Sequence, residues 1–400
     1  MRTGDLWEEW GEKMTLNFKD IRGEIAGLEN RLYFDNAGAS FPPPVVNAVI
    51  KDHLDLEARV GGYVAQEQKA FELEAVYDSL ACLLGGKASN YALTSGAVDA
   101  WNRAFYSVTL TAKDNVVITY NEYCSNYIAL LHRSQSIGFE IRVAGVDGDG
   151  VLDLPAMETL IDANTKLVTA STISSSSGQI LDVAAVGALC LKHDVLFLLD
   201  ACQAIGQVPV DVDEIGCDMM AGTSRKYLRG PRGVGFLYVS DKALKRLTPT
   251  MMSNMSAVWS GLETIDVRED ARLFEAWERS VALQLGFGAA LKYLINLGPE
   301  ALMAQSCRMA ALLREKLTRR NDITVQDQEG PRGAIVTFTK QGEDPEDTKA
   351  RLAKNNIVVQ VGSVVHTRLD LEERGLNSIV RVSTQYYTSE ADLDALITAL

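Results

Sequence analysis

No two cysteines in this 400-residue chain are spaced as C-x-x-C. The six present (Cys82, Cys124, Cys190, Cys202, Cys217 and Cys307) are scattered among mostly apolar neighbours, which indicates neither a zinc site nor a disulfide framework. Reduced, structural thiols and no bound metal are the expectation. Positive charge is also scarce: 39 Lys and Arg stand against 53 Asp and Glu, a net charge of −14. A surface of that sign disfavours nucleic acid and anionic membranes as partners, leaving small molecules. No charged-then-apolar leader opens the chain, no apolar run approaches membrane-spanning length, and internal repeats and low-complexity tracts are absent. A cytoplasmic protein is expected. With 47% hydrophobic and 23% charged residues, the composition suits one large or two moderate globular domains.

The most informative stretch runs from residue 195 to 235. It begins VLFLLDACQAIG, a near-continuous apolar run ending in Asp200, as in a strand buried on both faces that delivers one carboxylate to a sheet's carboxyl edge. After a short acidic connector comes AGTSRKYLRGPRGVGFLYV, in which Lys226 lies between Ser224 and a Gly/Pro turn, followed by a strand at 234–239. Taken singly, an acid at a strand end is most often a helix cap or ion-pair partner, and a lysine most often a surface residue. Their order and spacing point elsewhere, to pyridoxal phosphate (PLP), with Lys226 as the Schiff base and Asp200 as partner of the ring nitrogen.

The flanking sequence alternates strands and helices. Residues 1–30, with Trp7, Trp10, Phe18 and Ile21, form a polar, amphipathic helical arm. Small residues at 35–39 precede Pro42 to Pro44, which open a helix. The Gly61-Gly62 pair makes a corner between Arg59 and Tyr63 that could carry both side chains into a pocket, although a plain helix-helix turn explains it nearly as well. A strand, a Ser95-Gly96 turn and a new helix at 91–101 offer free amides as a phosphate seat, as would any such turn. Strands at 116–120, 141–144 and 167–171 follow. Tyr123 sits where an aromatic ring could cover a planar cofactor or simply pack, and Ser174 to Ser177 could supply hydroxyl donors or be only a loop. This alternation predicts an α/β fold: a mostly parallel sheet with helices on both faces and the ligand at the strands' carboxyl ends. The Met-, Ser- and Asn-rich stretch 251–270 has no clear periodicity and reads as a mobile or subunit-bridging loop. A helix at 278–297, strands at 323–326, 334–339, 357–360 and 379–383, and a closing helix from Ser389 complete a smaller α+β domain. The expected division is arm 1–30, large domain 31–270 and small domain 271–400, the arm joining the small domain.

The segments VGGYVA at 60–65, EY followed by Asn126, DACQAIGQ at 200–207 and SRKYLRGPRGVGFL at 224–237 resemble the class V aminotransferase superfamily of fold-type I PLP enzymes. That group includes the cysteine desulfurases, and the segments are most similar to those of the hercynylcysteine sulfoxide lyases of ergothioneine biosynthesis. The resemblance implies a large domain built on a mostly parallel seven-stranded sheet, and a homodimer acting on a small amino acid. It assigns Lys226, Asp200 and Tyr123 to catalysis, Tyr123 stacking on the ring. Gln203 would bond the ring's phenolate oxygen with Ser175, and the amides of Gly96, Ala97 and Val98, the Ser224 hydroxyl and Arg225 would hold phosphate. Arg381 would clamp the substrate carboxylate with help from Asn36, while Arg59 and Tyr63 would shape the substrate pocket.

Departures from the family pattern bear on the reaction. The loop that carries a nucleophilic Cys in the desulfurases reads VGSVVHTR at 361–368 and has none; Ala97 and Val98 replace a phosphate-binding Thr; Trp277-Glu278 replaces a Gly-Thr pair that reaches the partner subunit's phosphate. Carbon-sulfur β-elimination from an S-substituted cysteine or its sulfoxide is therefore expected, in ergothioneine- or lincosamide-type metabolism. Transamination or decarboxylation with deamination on the same cofactor, and a scaffold without turnover, remain open at this level.

Overall fold

Apolar strands that are buried on both sides pair most readily with one another, and here they build the centre of the molecule. The computed structural model describes residues 17–400. Tyr91–Thr94, Gly235–Val239, Met219–Thr223, Leu196–Asp200, Thr165–Ser171, Asn115–Thr119 and Glu140–Ala144 form, in that spatial order, a seven-stranded sheet. All pairings are parallel except the two made by Gly235–Val239, so a single strand runs against the rest. Alternation along each strand feeds two cores. Phe197 and Leu199 enter one with Val117, Phe236 and Tyr238; Leu196 and Leu198 enter the other with Val116, Ile118 and Leu237. Such a sheet leaves polar side chains an outlet only at its ends, and its carboxyl edge carries Asp200 and, past Thr223, Lys226.

A second sheet of four antiparallel strands, ordered Ile323–Val325, Ile335–Lys340, Ser378–Ser383 and Gln360–Ser363, has its own core around Phe34, Leu313, Phe338, Val380 and Leu396. Leu32–Tyr33 pairs in parallel with Ile357–Val358, and Asp35 bridges to Ser383, so the chain entering from the arm is stitched to this smaller unit. The arm itself also grips the larger one: Ile21, Ile25 and Leu28 enter its core, while Arg22 pairs with Asp392 at 2.7 Å. Trp7, Trp10 and the rest of residues 1–16 lie outside the described residues.

Two sequence expectations change. The boundary at 271 falls too early, because Ala271, Leu273 and Phe274 pack with Trp101 and Leu237 of the large sheet. Phe287 and Leu291, on the helix Val281–Leu297, likewise lie in the large core; the small unit's core resumes at Met309. Stretch 251–270 is not all loop, since Ala257–Gly261 and Thr264–Val267 form an antiparallel ribbon. Its outward Val258, Trp259, Leu262 and Ile265 hid the period-two signal of a strand with one polar face. Met219–Thr223 is a strand that the sequence does not announce, because MMAGT has only one β-branched residue, yet all five are buried in the sheet. Among the described residues, no single helix is long and apolar enough to cross a membrane and no acidic, His or Cys cluster suits a metal.

Candidate active site

Lys226 follows the strand Met219–Thr223 on a turn closed by backbone bonds from Gly230 N to Ser224 O (2.8 Å) and Arg229 N to Lys226 O (3.0 Å). Arg229 holds this turn from outside. It adopts a left-handed φ of 58° and buries its guanidinium against the rings of Tyr386 and Tyr387, donating to Phe41 O and to Tyr386 Oη at 2.6 Å each. Lys226 Nζ makes no hydrogen bond or ion pair among the described residues. Its pKa is pushed down to about 8, first by removal from water and then by the cationic Arg225 and Arg381, against the opposing pull of Cys202 and Asp200.

Asp200 sits across from it at the end of Leu196–Asp200, its carboxylate fixed at both oxygens. Cys202 N donates to Oδ1 at 2.9 Å and Asn126 Nδ2 donates to Oδ2 at 2.9 Å. Tyr123, half-buried, immediately precedes the helix Cys124–Ile137 and lies near enough to Asp200 and Arg225 to feel both charges; burial raises its phenol's pKa. Gln203 donates to Ala37 O at 3.3 Å, but its Oε1 is buried without a partner. Of the four serines at 174–177, Ser175 alone leaves its hydroxyl unbonded among the described residues: Ser174 and Ser176 bond each other, and Ser177 caps Gln179 N.

The phosphate seat lies where Ala97–Ser107 begins. Gly96 precedes that helix, leaving the Ala97 and Val98 amides as first-turn donors at the positive end of its dipole. A side chain at Gly235 would come within 2.5 Å of the Gly96 carbonyl carbon and 2.8 Å of Ala97 N, so glycine there lets the reversed strand support the turn. Arg225 donates to Gly38 O. Ser224 does not join the seat. It is fully buried, with its hydroxyl committed to Pro231 O and to Val234 O (2.9 Å). Thr223, one residue earlier at the strand end, has a hydroxyl without a partner among the described residues and was missed. The period of two along the strand was the available signal, since adjacent residues face opposite ways.

Arg381, on Ser378–Ser383, is loosely held: it lies 3.3 Å from Asp35 Oδ1 and 3.5 Å from Ser175 O, and its Nε is buried without a partner. Asn36 does not share its task. Fully buried, it donates to Ser383 O at 2.7 Å and accepts from Tyr387 Oη at 2.5 Å, so both ends of the amide serve the fold. Arg59 and Tyr63 are not brought to Lys226 within one chain. Both are exposed, and Tyr63 lines a separate cavity of about 210 Å³ with Tyr77, Trp277 and Arg279.

An unpaired enclosed amine, an unpartnered Gln203 end, an idle Thr223 hydroxyl and free helix amides together fit PLP. Lys226 would bond its aldehyde carbon, Asp200 its ring nitrogen, and the Ala97 to Val98 amides with Thr223 its phosphate. Only the unprotonated amine adds to an aldehyde. In apoprotein mixed with PLP, adduct formation followed by absorbance is expected to accelerate about tenfold per pH unit up to about 8 and level off above it. A rate still climbing toward ~10, as for an exposed lysine, would contradict the site.

The family model for aminotransferase class V matches residues 32–396. A probable cysteine desulfurase of Methanothermobacter thermautotrophicus is 28% identical over 394 residues, covering 94% of this chain and 96% of that protein. Among solved structures, the cysteine desulfurase of Thermococcus onnurineus superposes with a TM-score of 0.90 at 22% identity, covering 97% of this chain and 98% of that one. The cystine C-S lyase C-DES, solved with its product cysteine persulfide, gives 0.85 at 20% identity over 94% and 98% of the two chains. By the match along nearly its whole length, the chain belongs to the class V aminotransferase family.

Proposed function

We propose that this chain is a PLP-dependent carbon-sulfur β-lyase that converts an S-substituted cysteine, or its sulfoxide, to a thiol or sulfenic acid with pyruvate and ammonia. The carrying observation is the loop 361–368, which has no thiol and is pinned in place. Thr367 Oγ1 lies 2.6 Å from Ser176 Oγ, which donates to Asp370 at 2.9 Å, while Cys124 N donates to His366 O at 3.0 Å. A loop tied at these points does not present a nucleophile to a substrate sulfur. The relatives named as cysteine desulfurases act on cysteine, and C-DES is named a C-S lyase, so cleavage beside sulfur is common ground.

PLP, when bound, withdraws electrons from the substrate's Cα. The chain's residues supply the rest. Arg381 offers two parallel donors to the substrate carboxylate, which fixes its orientation as well as its charge. Lys226 takes the proton from Cα, a role suited to an amine whose pKa lies near neutrality. Asp200, held at both oxygens, keeps the ring nitrogen protonated. Sulfur leaves with its electron pair and gains a proton, and one water accounts for the oxygen of pyruvate as ammonia departs. Purified protein with PLP and a panel of S-alkyl cysteines and sulfoxides is expected to release pyruvate and thiol or sulfenate in equal amounts. Aldehyde or carbon dioxide in place of pyruvate, or persulfide on any of its cysteines after reaction with free cysteine, would contradict the proposal.

The reading includes a homodimer. Val258, Trp259, Leu262 and Ile265 on the ribbon, with Tyr63 and Phe71, are exposed on one chain, Leu262 to 94% of its surface. Apolar surface of that extent is ordinarily covered. Arg59 and Tyr63, which do not reach Lys226 of their own chain, would then be free to border the partner's site. Sedimentation equilibrium at micromolar concentration is expected to give twice the chain mass; the single-chain mass would contradict it.

A further inference from the structure

We propose that Glu122 is a positioning residue that fixes both neighbours of the cofactor ring, Tyr123 on its face and Asp200 at its nitrogen; the inference rests on the PLP reading above. Glu122 is only 2% exposed, yet no cation pairs with it among the described residues. What surrounds it instead is four donors. Its Oε1 accepts from Tyr123 N at 2.9 Å, Asn126 Nδ2 at 2.9 Å and Ser171 Oγ at 3.2 Å, and its Oε2 accepts from Thr169 Oγ1 at 2.6 Å. Thr169 and Ser171 belong to the buried strand Thr165–Ser171, so the carboxylate is anchored to the sheet itself.

From that anchor two branches leave. One is the backbone of Tyr123, which sets where its ring begins. The other is the Asn126 amide, whose two hydrogens go to two carboxylates: the same Nδ2 donates to Glu122 and, at 2.9 Å, to Asp200 Oδ2. With both hydrogens spoken for, the amide cannot turn, and Asp200 is held at the angle the Cys202 amide completes from its other oxygen. Burial pushes the Glu122 pKa up, the donors oppose it, and the anionic Asp200 adds to the upward push. A buried carboxyl held by four donors, with no ion pair among the described residues, points to a requirement for its geometry.

A Gln at 122 can reproduce that geometry. Its carbonyl keeps the three donors of Oε1, and its amine can donate to the Thr169 hydroxyl, which rotates to accept. Ala cannot. Holoproteins carrying Glu122→Ala, Glu122→Gln and Asn126→Ala would be compared by the visible circular dichroism of bound PLP, by PLP retention on dialysis, and by melting. Glu122→Ala and Asn126→Ala are expected to lose PLP about ten- to a hundredfold faster and to lose most of the dichroism. Glu122→Gln should stay within about twofold of wild type. Should Glu122→Ala fail to fold, Asn126→Ala carries the same test, since it cuts only the branch to Asp200. Wild-type dichroism and retention in the Ala variants would overturn the inference, as would a Gln variant as damaged as Ala. Wild-type protein that takes up no PLP would instead overturn the reading beneath it.

Discussion

An enclosed lysine with no ion pair among the described residues is what the rest of this structure is arranged around. Removing an ammonium from water without a counter-charge is unfavourable, and here the cost appears as a pKa lowered to about 8. The fold sustains it by making the surroundings rigid. Lys226 lies on a turn bound to the Phe41 and Tyr386 segments through Arg229, and Ser40 N donates to Arg225 O at 2.9 Å. Those segments belong to the chain's two ends, so closing the N-terminal and C-terminal units around the large sheet is what closes the lysine's surroundings.

The opposing acid follows a similar logic with different means. Asp200 projects from a strand whose preceding residues divide between two cores, so its position along the sheet is set by packing on both faces. Its orientation is set by hydrogen bonds from Asn126 and Cys202. Packing thus places the charged groups and polar contacts aim them. Arg381, bound only by contacts of 3.3 and 3.5 Å, can exchange them for a substrate carboxylate.

Much of this was legible in the sequence because strong signals are local. The apolar run into Asp200, the Gly/Pro turn after Lys226 and the Ser-Gly turn before Ala97 each declare their conformation within a few residues. The strand Met219–Thr223 was not legible, since a fully buried strand made of Met, Ala, Gly and a single Thr has no alternation and almost no β-branched bulk. Missing it cost the distinction between Thr223 and Ser224: only knowing that the strand reaches 223 tells which hydroxyl faces outward. Asn36 misled for a related reason. Its role depends on Tyr387 and Ser383, some 350 residues away, and no local pattern reports such a contact. Glu122 and Asn126 were visible as letters beside Tyr123, but their importance lies in one amide bridging two carboxylates, which spacing does not reveal.

On the proposed reading, a family scaffold without the loop thiol puts the same lysine to a different use. The loop 361–368 is fastened through Thr367, Ser176 and Asp370 and itself carries no thiol, while the proposed release of a β-substituent would draw on Lys226, Asp200 and Arg381. Everything therefore turns on whether the cofactor joins at residue 226. Borohydride reduction of PLP-loaded protein followed by peptide mass mapping tests this most directly. The account predicts a single pyridoxyl-phosphate mass increment on the peptide containing Lys226, absent from the Lys226→Ala variant. An increment on another lysine, or one that persists in the variant alongside full turnover, would contradict it.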